Sequence, residues 1–137
     1  MRGSCQCGAV RYEVTGKVSH VSHCHCSMCR KLHGALFASF GGVARDDLKV
    51  EGGDSLREYR SSDAISRRFC AICGGQMFAE SPGDDDTVFL CLGSLDQGER
   101  PDHDPAGERH IFWESRVTWH DPGDGAVRVE GYGETSG

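Results

Sequence analysis

Apolar residues along this chain mostly alternate with polar ones over short runs, which is the pattern of half-buried β-strands. The runs that predict strands are RYEV (11–14), VSHV (18–21), ALFASF (35–40), LKV (48–50), LREY (56–59), ISRRF (65–69), QMFAE (76–80), TVFLCL (87–92), HIFWES (110–115) and VTWH (117–120). We expect the first two to form a hairpin across the Gly16–Lys17 turn. Turn-forming clusters such as GGDS, SPGDDD and DPGDG separate the later runs. Because helical periodicity is nearly absent, the pattern predicts a mainly β fold.

Two segments depart from this pattern. HCHCSMCRK (23–31) packs three cysteines and two histidines into nine positions and closes with two cations. It predicts a metal-binding turn that runs into about one helical turn, which Gly34 ends. The loop 93–109 is long and acidic, and we expect it either to edge a functional site or to be a solvated connection.

Length and charge limit what the chain can be. Its 137 residues suit a single domain over 1–137, with frayed ends at 1–2 and 133–137. The net charge of -6 without any basic run argues against a nucleic-acid partner, which requires a cationic surface. No segment has the roughly 20 apolar residues of a membrane span, and no apolar stretch of a signal peptide follows the N-terminus. We therefore expect a cytoplasmic protein without a membrane partner, of unknown oligomeric state.

The eight cysteines indicate metal binding. In a reducing cytosol, C-x-C and C-x2-C pairs favour thiolates on a metal over disulfides, and zinc binds thiolates tetrahedrally at about 2.3 Å. Two of the pairs end in a cysteine followed by glycine, which can adopt positive φ and let backbone N–H groups turn toward the sulfurs. These matching pairs predict one closed, structural zinc site. Its ligands would be Cys5, Cys7, Cys70 and Cys73.

The middle group, Cys24, Cys26 and Cys29, has only three sulfurs. Catalytic zinc keeps three protein ligands and one exchangeable position, so this group predicts a second zinc ion with an open fourth place. The alternative is that a histidine closes the site. His23 is the stronger candidate for this role, because His25 lies between two ligands and tends to point away from a shared ion.

Three thiolates restrict the chemistry of such a site. A zinc ion that they bind carries a net negative charge, which makes it a weak electrophile that suits holding an incoming thiol as a nucleophilic thiolate. Thiol attack on a carbon electrophile is therefore the predicted reaction. Arg30 and Lys31 would bind the carboxylates of an acidic thiol such as glutathione, unless they are simply a solvated helix end. The H-x-E of nucleobase deaminases and the H-E-x-x-H of metalloproteases are both absent.

Five motifs run in order along nearly the whole chain. They are GSCQCGAVRYEV, HCHCSMCRK-x-x-G, FCAICGG, LGSLD (92–96) and HIFWESRVTWH (110–120). This set resembles the glutathione-dependent formaldehyde-activating enzyme family, relatives of centromere protein V. The resemblance implies a zinc-stapled, Mss4-like fold of short coiled β-sheets and two zinc ions per chain. It assigns the structural ion to Cys5, Cys7, Cys70 and Cys73, and the active-site ion to Cys24, Cys26 and Cys29. The activity it implies is condensation of glutathione with formaldehyde to S-(hydroxymethyl)glutathione, formally a carbon–sulfur lyase reaction in reverse.

The favoured hypothesis is thus a zinc-dependent enzyme that joins a small thiol to a small aldehyde. His110 is the candidate for relaying a proton to the developing alkoxide. Phe37, Phe40 and Trp113 are candidates for pocket walls or for plain core. The alternative is a non-catalytic binding or chaperone-like module in which both zinc ions are structural.

Two residues fall outside this scheme. Cys91 lies between two leucines, so we expect a buried thiol of raised pKa and no function. His33 is expected either to narrow the pocket or to face solvent.

Overall fold

The computed structural model describes residues 1–133 and confirms the mainly β prediction, with one short helix. The strands are β1 Arg2–Ser4, β2 Arg11–Val14, β3 Val21–Cys24, β4 Ala38–Ala44, β5 Leu48–Glu51, β6 Leu56–Arg60, β7 Ser66–Cys70, β8 Gln76–Glu80, β9 Thr87–Cys91, β10 Arg109–Ile111 and β11 Val127–Arg128. Helix α1 covers Ser27–His33. No helix within residues 1–133 is both long and apolar enough to cross a membrane.

The strands form two sheets. A small antiparallel sheet has the order β1-β2-β5, and a larger one has the order β11-β10-β3-β4-β9-β8-β7-β6. The larger sheet is antiparallel except that β10 runs parallel to both of its neighbours, β3 and β11. Strand β3 therefore lies between β4 and β10, and this places the middle cysteine group inside the larger sheet.

The main core forms where the buried faces of both sheets meet. In β2 the alternation of the sequence is realised directly, since Tyr12 and Val14 are buried while Arg11 and Glu13 are exposed. The Tyr12 ring packs edge-on against Phe78, with 5.5 Å between the ring centroids. Burial of such side chains stabilises the fold by about 1.5–3 kcal/mol each for aliphatic and phenylalanine residues.

The predicted hairpin of residues 11–14 and 18–21 is wrong. Strand β2 pairs with β1 and β5, whereas Val21 begins β3, which pairs with β4 and β10. A short apolar alternation indicates a strand but does not specify its partner. Segment 18–20 instead lies across β4, where Ser19 N–H donates to Gly42 O at 2.8 Å.

The packing of segment 18–20 across β4 also explains why this strand lies further along the chain than predicted. The prediction covered residues 35–40, but the strand runs over Ala38–Ala44 and includes Gly41 and Gly42. Glycine is unfavourable in strands, so the sequence pattern stops before these residues. Here both are required by close packing, because a Cβ on Gly41 would lie 2.8 Å from Val18 and one on Gly42 would lie 2.6 Å from Ser19.

Three expectations about the ends of the chain need correction. Residues 1–2 are ordered rather than frayed, because Arg2 begins β1 and the N-terminal ammonium of Met1 donates to Val14 O at 2.8 Å. The strand predicted over 110–115 ends at Ile111, because Phe112 adopts a left-handed φ of 53°. Residues 117–120 form no strand, and β11 pairs with β10 in their place. Of the expected frayed C-terminal end, 134–137 lie outside the described residues.

Helix α1 directly follows the predicted metal-binding turn. Its N-cap is Cys26, whose sulfur accepts a hydrogen bond from Cys29 N–H, and Gly34 ends it in the left-handed conformation as predicted. The helix has seven residues, which is about two turns rather than one. Two sulfurs are thus held at the start of a rigid element.

Candidate metal centres and the adjoining pocket

The four cysteines of the first and third groups converge on one point. Cys7 Sγ lies 3.6 Å from Cys5 Sγ and 3.8 Å from Cys70 Sγ. Together with Cys73, their sulfurs lie within 4.8 Å of one another, and all four thiols are free. A tetrahedron with zinc–sulfur bonds of about 2.3 Å has edges of about 3.8 Å, so these spacings fit a zinc ion.

The two cysteine pairs are matching turns, as the glycines predicted. Gly8 and Gly74 have φ values of 81° and 79°. Gly8 N–H donates to Cys5 O at 3.1 Å, and Gly74 N–H donates to Cys70 O at 2.7 Å. Each turn therefore needs glycine at the same place, since other residues rarely adopt this φ.

Backbone N–H groups reach these sulfurs. Val10 N–H donates to Cys5 Sγ at 3.3 Å. Hydrogen bonds from the backbone of Cys7 and Gly75 lower the pKa of Cys73 to about 6. These hydrogen bonds favour the thiolate of Cys73, the form that binds a metal.

The three cysteines of the middle group form a separate cluster, with sulfurs within 4.8 Å of one another. Cys24 ends β3 and Cys26 is still extended at φ -63° and ψ 156°, so their side chains point to the same face. Helix α1 then returns Cys29 to them, and its N–H donates to Cys26 Sγ at 3.3 Å. The hydrogen bond from the Cys24 thiol, followed by that from Cys29, lowers the pKa of Cys26. The surroundings of Cys26 thus favour its thiolate form.

Neither histidine of the middle segment joins this cluster. The alternation that brings Cys24 toward Cys26 sends His23 to the opposite face of the sheet, where its ring nitrogens contact Ser39 Oγ at 2.7 Å and Glu108 Oε1 at 2.6 Å. Among the His, Cys, Asp and Glu side chains of residues 1–133, only the three cysteines belong to this cluster. The described part of the chain therefore supplies three ligand atoms and no fourth.

His110 lies on that opposite face, which corrects its assignment as a proton relay. It is fully buried, and its Nδ1 and Nε2 lie 2.7 Å from His25 Nε2 and 2.8 Å from Asp124 Oδ2. With both nitrogens engaged behind the sheet, it does not face the cysteine pocket. His23, His110 and Asp124 place their ligand atoms within 4.8 Å of one another, and we call them, together with His25, the histidine cluster.

Two of the three predicted pocket walls belong to the histidine cluster. The Phe37 ring lies 4.9 Å from His25 and 5.5 Å from His110, and Trp113 lies 5.0 Å from His25. The remaining candidate, Phe40, does line the cysteine pocket. Strand register explains the position of Phe40, which pairs with Ser22 on the face that carries Cys24, while Ser39 on the other face pairs with His23.

A cavity of about 320 Å³ opens beside the three cysteines. Most of its remaining lining is apolar, and several of these side chains are aromatic. The apolar residues are Met28, Phe40, Ile65, Ala79, Phe89, Ile111, Phe112 and Tyr132. The polar ones are His20, Ser22, Arg67 and Ser81.

Arg67 lines the cavity beside the three cysteines, and sequence reasoning missed it. It lies on β7 with only 4% of its surface exposed, and its Nη1 and Nη2 each donate to Cys29 Sγ at 3.6 Å. Its Nε donates to Ser61 Oγ at 3.1 Å. Nothing in its spacing marks it, since it is one of two adjacent arginines in a strand, and only the fold shows which one turns inward.

The cations predicted to bind substrate lie away from the cavity. Arg30 Nε donates to His25 O at 3.3 Å, and Lys31 is exposed on α1. Neither side chain lines the pocket beside the three cysteines. The prediction failed because α1 turns Cys29 toward the cluster. Arg30 and Lys31, which follow Cys29 on the helix, therefore face away from the cavity.

Three further expectations can be compared with the structure. Cys91 is buried, and burial raises its pKa to about 12, which confirms the prediction of a raised pKa. His33 packs edge-on against Phe40 at 5.6 Å and does not line the cavity. Loop 93–109 edges the histidine cluster, through the contact of Glu108 with His23, and not the cysteine pocket.

Comparisons with known proteins agree with these features. The family model described as "Glutathione-dependent formaldehyde-activating enzyme" matches residues 1–115. Relatives from Pyrenophora teres f. teres (40% identical over 77 residues, 54% of this chain and 40% of the relative) and Halomonas elongata (28% over 131 residues, 87% and 78%) are each named "Putative glutathione-dependent formaldehyde-activating enzyme". The match to the fungal relative thus spans less than half of that protein's length.

A solved structure also resembles this fold. The crystal structure of a Rhodobacter sphaeroides protein superposes with a TM-score of 0.58 at 27% identity, over 74% of this chain and 92% of that one. The mainly β architecture and the two cysteine clusters are consistent with the zinc-stapled, Mss4-like fold. Because the family model covers most of its length, the chain belongs to the glutathione-dependent formaldehyde-activating enzyme family.

Proposed function

We propose that the chain catalyses the addition of a thiol to a small aldehyde at the cluster of Cys24, Cys26 and Cys29. The observation that carries this proposal is the contrast between the two cysteine clusters. One has four sulfurs, whereas the other has three, no fourth ligand among the described residues, and an adjacent cavity. Family membership supports the same reading, since the relatives are named for the chemistry of glutathione and formaldehyde.

The two clusters divide the roles. Cys5, Cys7, Cys70 and Cys73 would hold a structural zinc ion. A zinc ion on the three-sulfur cluster would supply an exchangeable position at which a thiol is held as thiolate. A reducing compartment such as the cytoplasm keeps these thiols free, and we place the protein there.

The reaction itself is an addition. The substrate thiol releases its proton to solvent, and its sulfur attacks the carbonyl carbon. A carbon–sulfur bond forms while the π electron pair of the carbonyl moves to oxygen, and the resulting alkoxide takes a proton from water. The product is a hemithioacetal, such as S-(hydroxymethyl)glutathione from glutathione and formaldehyde. No oxidant or reductant is consumed.

Arg67 is the group best placed to assist this step. A guanidinium has five N–H donors, and three are engaged by Cys29 and Ser61. Arg67 lines the cavity, where its remaining N–H groups would donate to the alkoxide and stabilise its charge. This role replaces the one that the sequence suggested for His110.

Exchange NMR with ¹³C-labelled formaldehyde and glutathione tests the proposal, because it measures the rate of adduct formation above the uncatalysed rate. We expect the wild type and a Cys91→Ala control to accelerate exchange and Cys26→Ser to do so at less than about a hundredth of that rate, in the range seen when an electrostatic catalytic group is removed. Acceleration by Cys26→Ser equal to that by the wild type would overturn the proposal. A protein that binds two metal ions but accelerates nothing would instead favour a non-catalytic module.

A further inference from the structure

The lining of the cavity beside the three cysteines is mostly apolar, and this limits which substrates it would bind. We propose that it selects a thiol with an apolar, uncharged body over a charged peptide thiol such as glutathione. This inference rests on the proposed function and names the substrate class of that same site.

The walls of the cavity favour an apolar ligand. Phe40, Phe89, Phe112 and Ile111 line it beside the sulfurs. Tyr132, with 65% of its surface exposed, extends this lining toward solvent. A thiol anchored at the cysteines would therefore place its carbon body against aromatic and aliphatic side chains, and the burial of that body favours binding.

The charges of the cavity disfavour glutathione. That tripeptide carries two carboxylates and one ammonium group at neutral pH, and burying unpaired charges is costly. The lining includes one arginine, Arg67, and no lysine, aspartate or glutamate among the described residues. Three of the five donors of Arg67 are already engaged, and its charge faces the thiol of Cys29. Arg30 and Lys31, which could have bound carboxylates, lie elsewhere.

The polar remainder of the lining does not supply the missing charges. His20 contacts Ser19 Oγ through Nδ1 at 2.9 Å, and burial lowers its pKa, so it is neutral at physiological pH. Ser22 and Ser81 offer only hydroxyl groups. One carboxylate of glutathione would thus have no cationic partner in the described lining, and the ammonium would have no carboxylate there.

Methyl NMR of the zinc-loaded protein measures this preference without relying on turnover. The chain has three methionines, of which Met28 lines the cavity and Met77 is fully buried in the main core. We expect 2-phenylethanethiol to shift the ¹³C-labelled Met28 methyl signal and to saturate at a concentration at least about tenfold below that of glutathione, with Met77 unmoved. The oxygen analogue 2-phenylethanol should bind more weakly than the thiol, because it lacks the sulfur anchor.

Two tyrosine variants test whether the lining of the cavity causes the preference for an apolar thiol. Tyr132→Ser removes a ring that lines the cavity, whereas Tyr59→Ser removes a ring with 51% of its surface exposed on β6, outside the lining. We expect Tyr132→Ser to weaken 2-phenylethanethiol binding at least about threefold and Tyr59→Ser to leave it unchanged. The substrate class would be overturned if glutathione saturated the Met28 shift at a concentration equal to or below that of 2-phenylethanethiol. It would also be overturned if the two tyrosine variants weakened 2-phenylethanethiol binding equally. In both cases the proposed function would stand. If neither thiol shifts Met28 nor alters the absorption of the cobalt-substituted protein, both proposals fail together.

Discussion

Two N–H groups of the Arg67 guanidinium point at a single sulfur, Cys29 Sγ, each at 3.6 Å. Both residues are almost fully buried. A buried cation needs a negative partner, and a cluster of thiolates needs a positive one, so each offsets the cost of burying the other. The pair also links β7 to the start of α1, and thus ties the far side of the larger sheet to the metal-binding turn.

Replacing Arg67 with Met should therefore weaken metal binding at the three-cysteine cluster by about tenfold or more, as expected for loss of hydrogen bonds to a charged group. Arg67→Lys should recover part of the loss, because it restores the charge without the planar fork of donors. Competition with a chromophoric chelator measures the affinity. The matched control is Arg68→Met, whose side chain pairs with Glu80 at 3.7 Å outside the cluster. Equal effects of the two methionine variants would contradict the role of Arg67.

The sequence predicts the two cysteine clusters well and their surroundings poorly, for a physical reason. Pairs such as Cys24 and Cys26 are close in the chain, so local geometry alone brings their sulfurs together. Arg67 and Cys29 meet only because β7 and α1 are brought together by pairings across the whole sheet, which no local pattern specifies. The assignment of His110 failed in the same way, because one step of register along β10 decides which face a side chain occupies.

The two clusters should respond differently to the loss of one thiol. Cys70→Ser removes a ligand from the four-sulfur site, and structural zinc contributes about 10–16 kcal/mol in small domains, comparable to the whole stability of a fold. We expect that variant to be unfolded or insoluble. Cys26→Ser should stay folded and retain one metal ion per chain.

Circular dichroism melting and metal analysis of the two purified variants check this division. Because both changes replace one sulfur with one oxygen, the comparison isolates the site and not the chemistry of the substitution. Equal loss of folded structure in the two variants would show that the clusters do not have separate structural and catalytic roles.

Cys91 should react slowly with alkylating reagents in the native protein. Burial raises its pKa to about 12, so at pH 8 only about one molecule in ten thousand carries the thiolate that alkylating reagents attack. Its alkylation rate should rise about tenfold for each pH unit below that pKa, whereas unfolding returns the thiol to a pKa of about 8.5 and exposes it. Mass spectrometry after iodoacetamide treatment measures the modification. Labelling of native Cys91 at pH 8 as fast as in the unfolded chain would contradict its burial.

Replacing His110 should destabilise the fold and leave the chemistry of the cysteine pocket intact. The ring is fully buried with both nitrogens engaged, so His110→Gln leaves buried groups of His25 without their partner at a cost of about 1–3 kcal/mol. We expect a lower melting temperature but an unchanged pH profile of adduct formation. A shift of that profile in His110→Gln, without a change in melting temperature, would restore the proton-relay role.

Asp124, which contacts His110, should make the stability of the fold depend on pH. The hydrogen bond with His110 lowers the pKa of Asp124, so its carboxylate stabilises the folded state above its unfolded pKa of about 3.9 and loses that contribution as pH falls through the lower folded value. Asp124→Asn should therefore be less stable than the wild type at pH 6, by less than about 1 kcal/mol because the carboxylate is 39% exposed. The difference should shrink as pH falls from 6 and the wild-type carboxyl becomes protonated. Denaturant unfolding of both proteins measures it at matched pH values at which both keep their metal and stay folded. A difference that grows as pH falls would mean that Asp124 stabilises the fold in its protonated form.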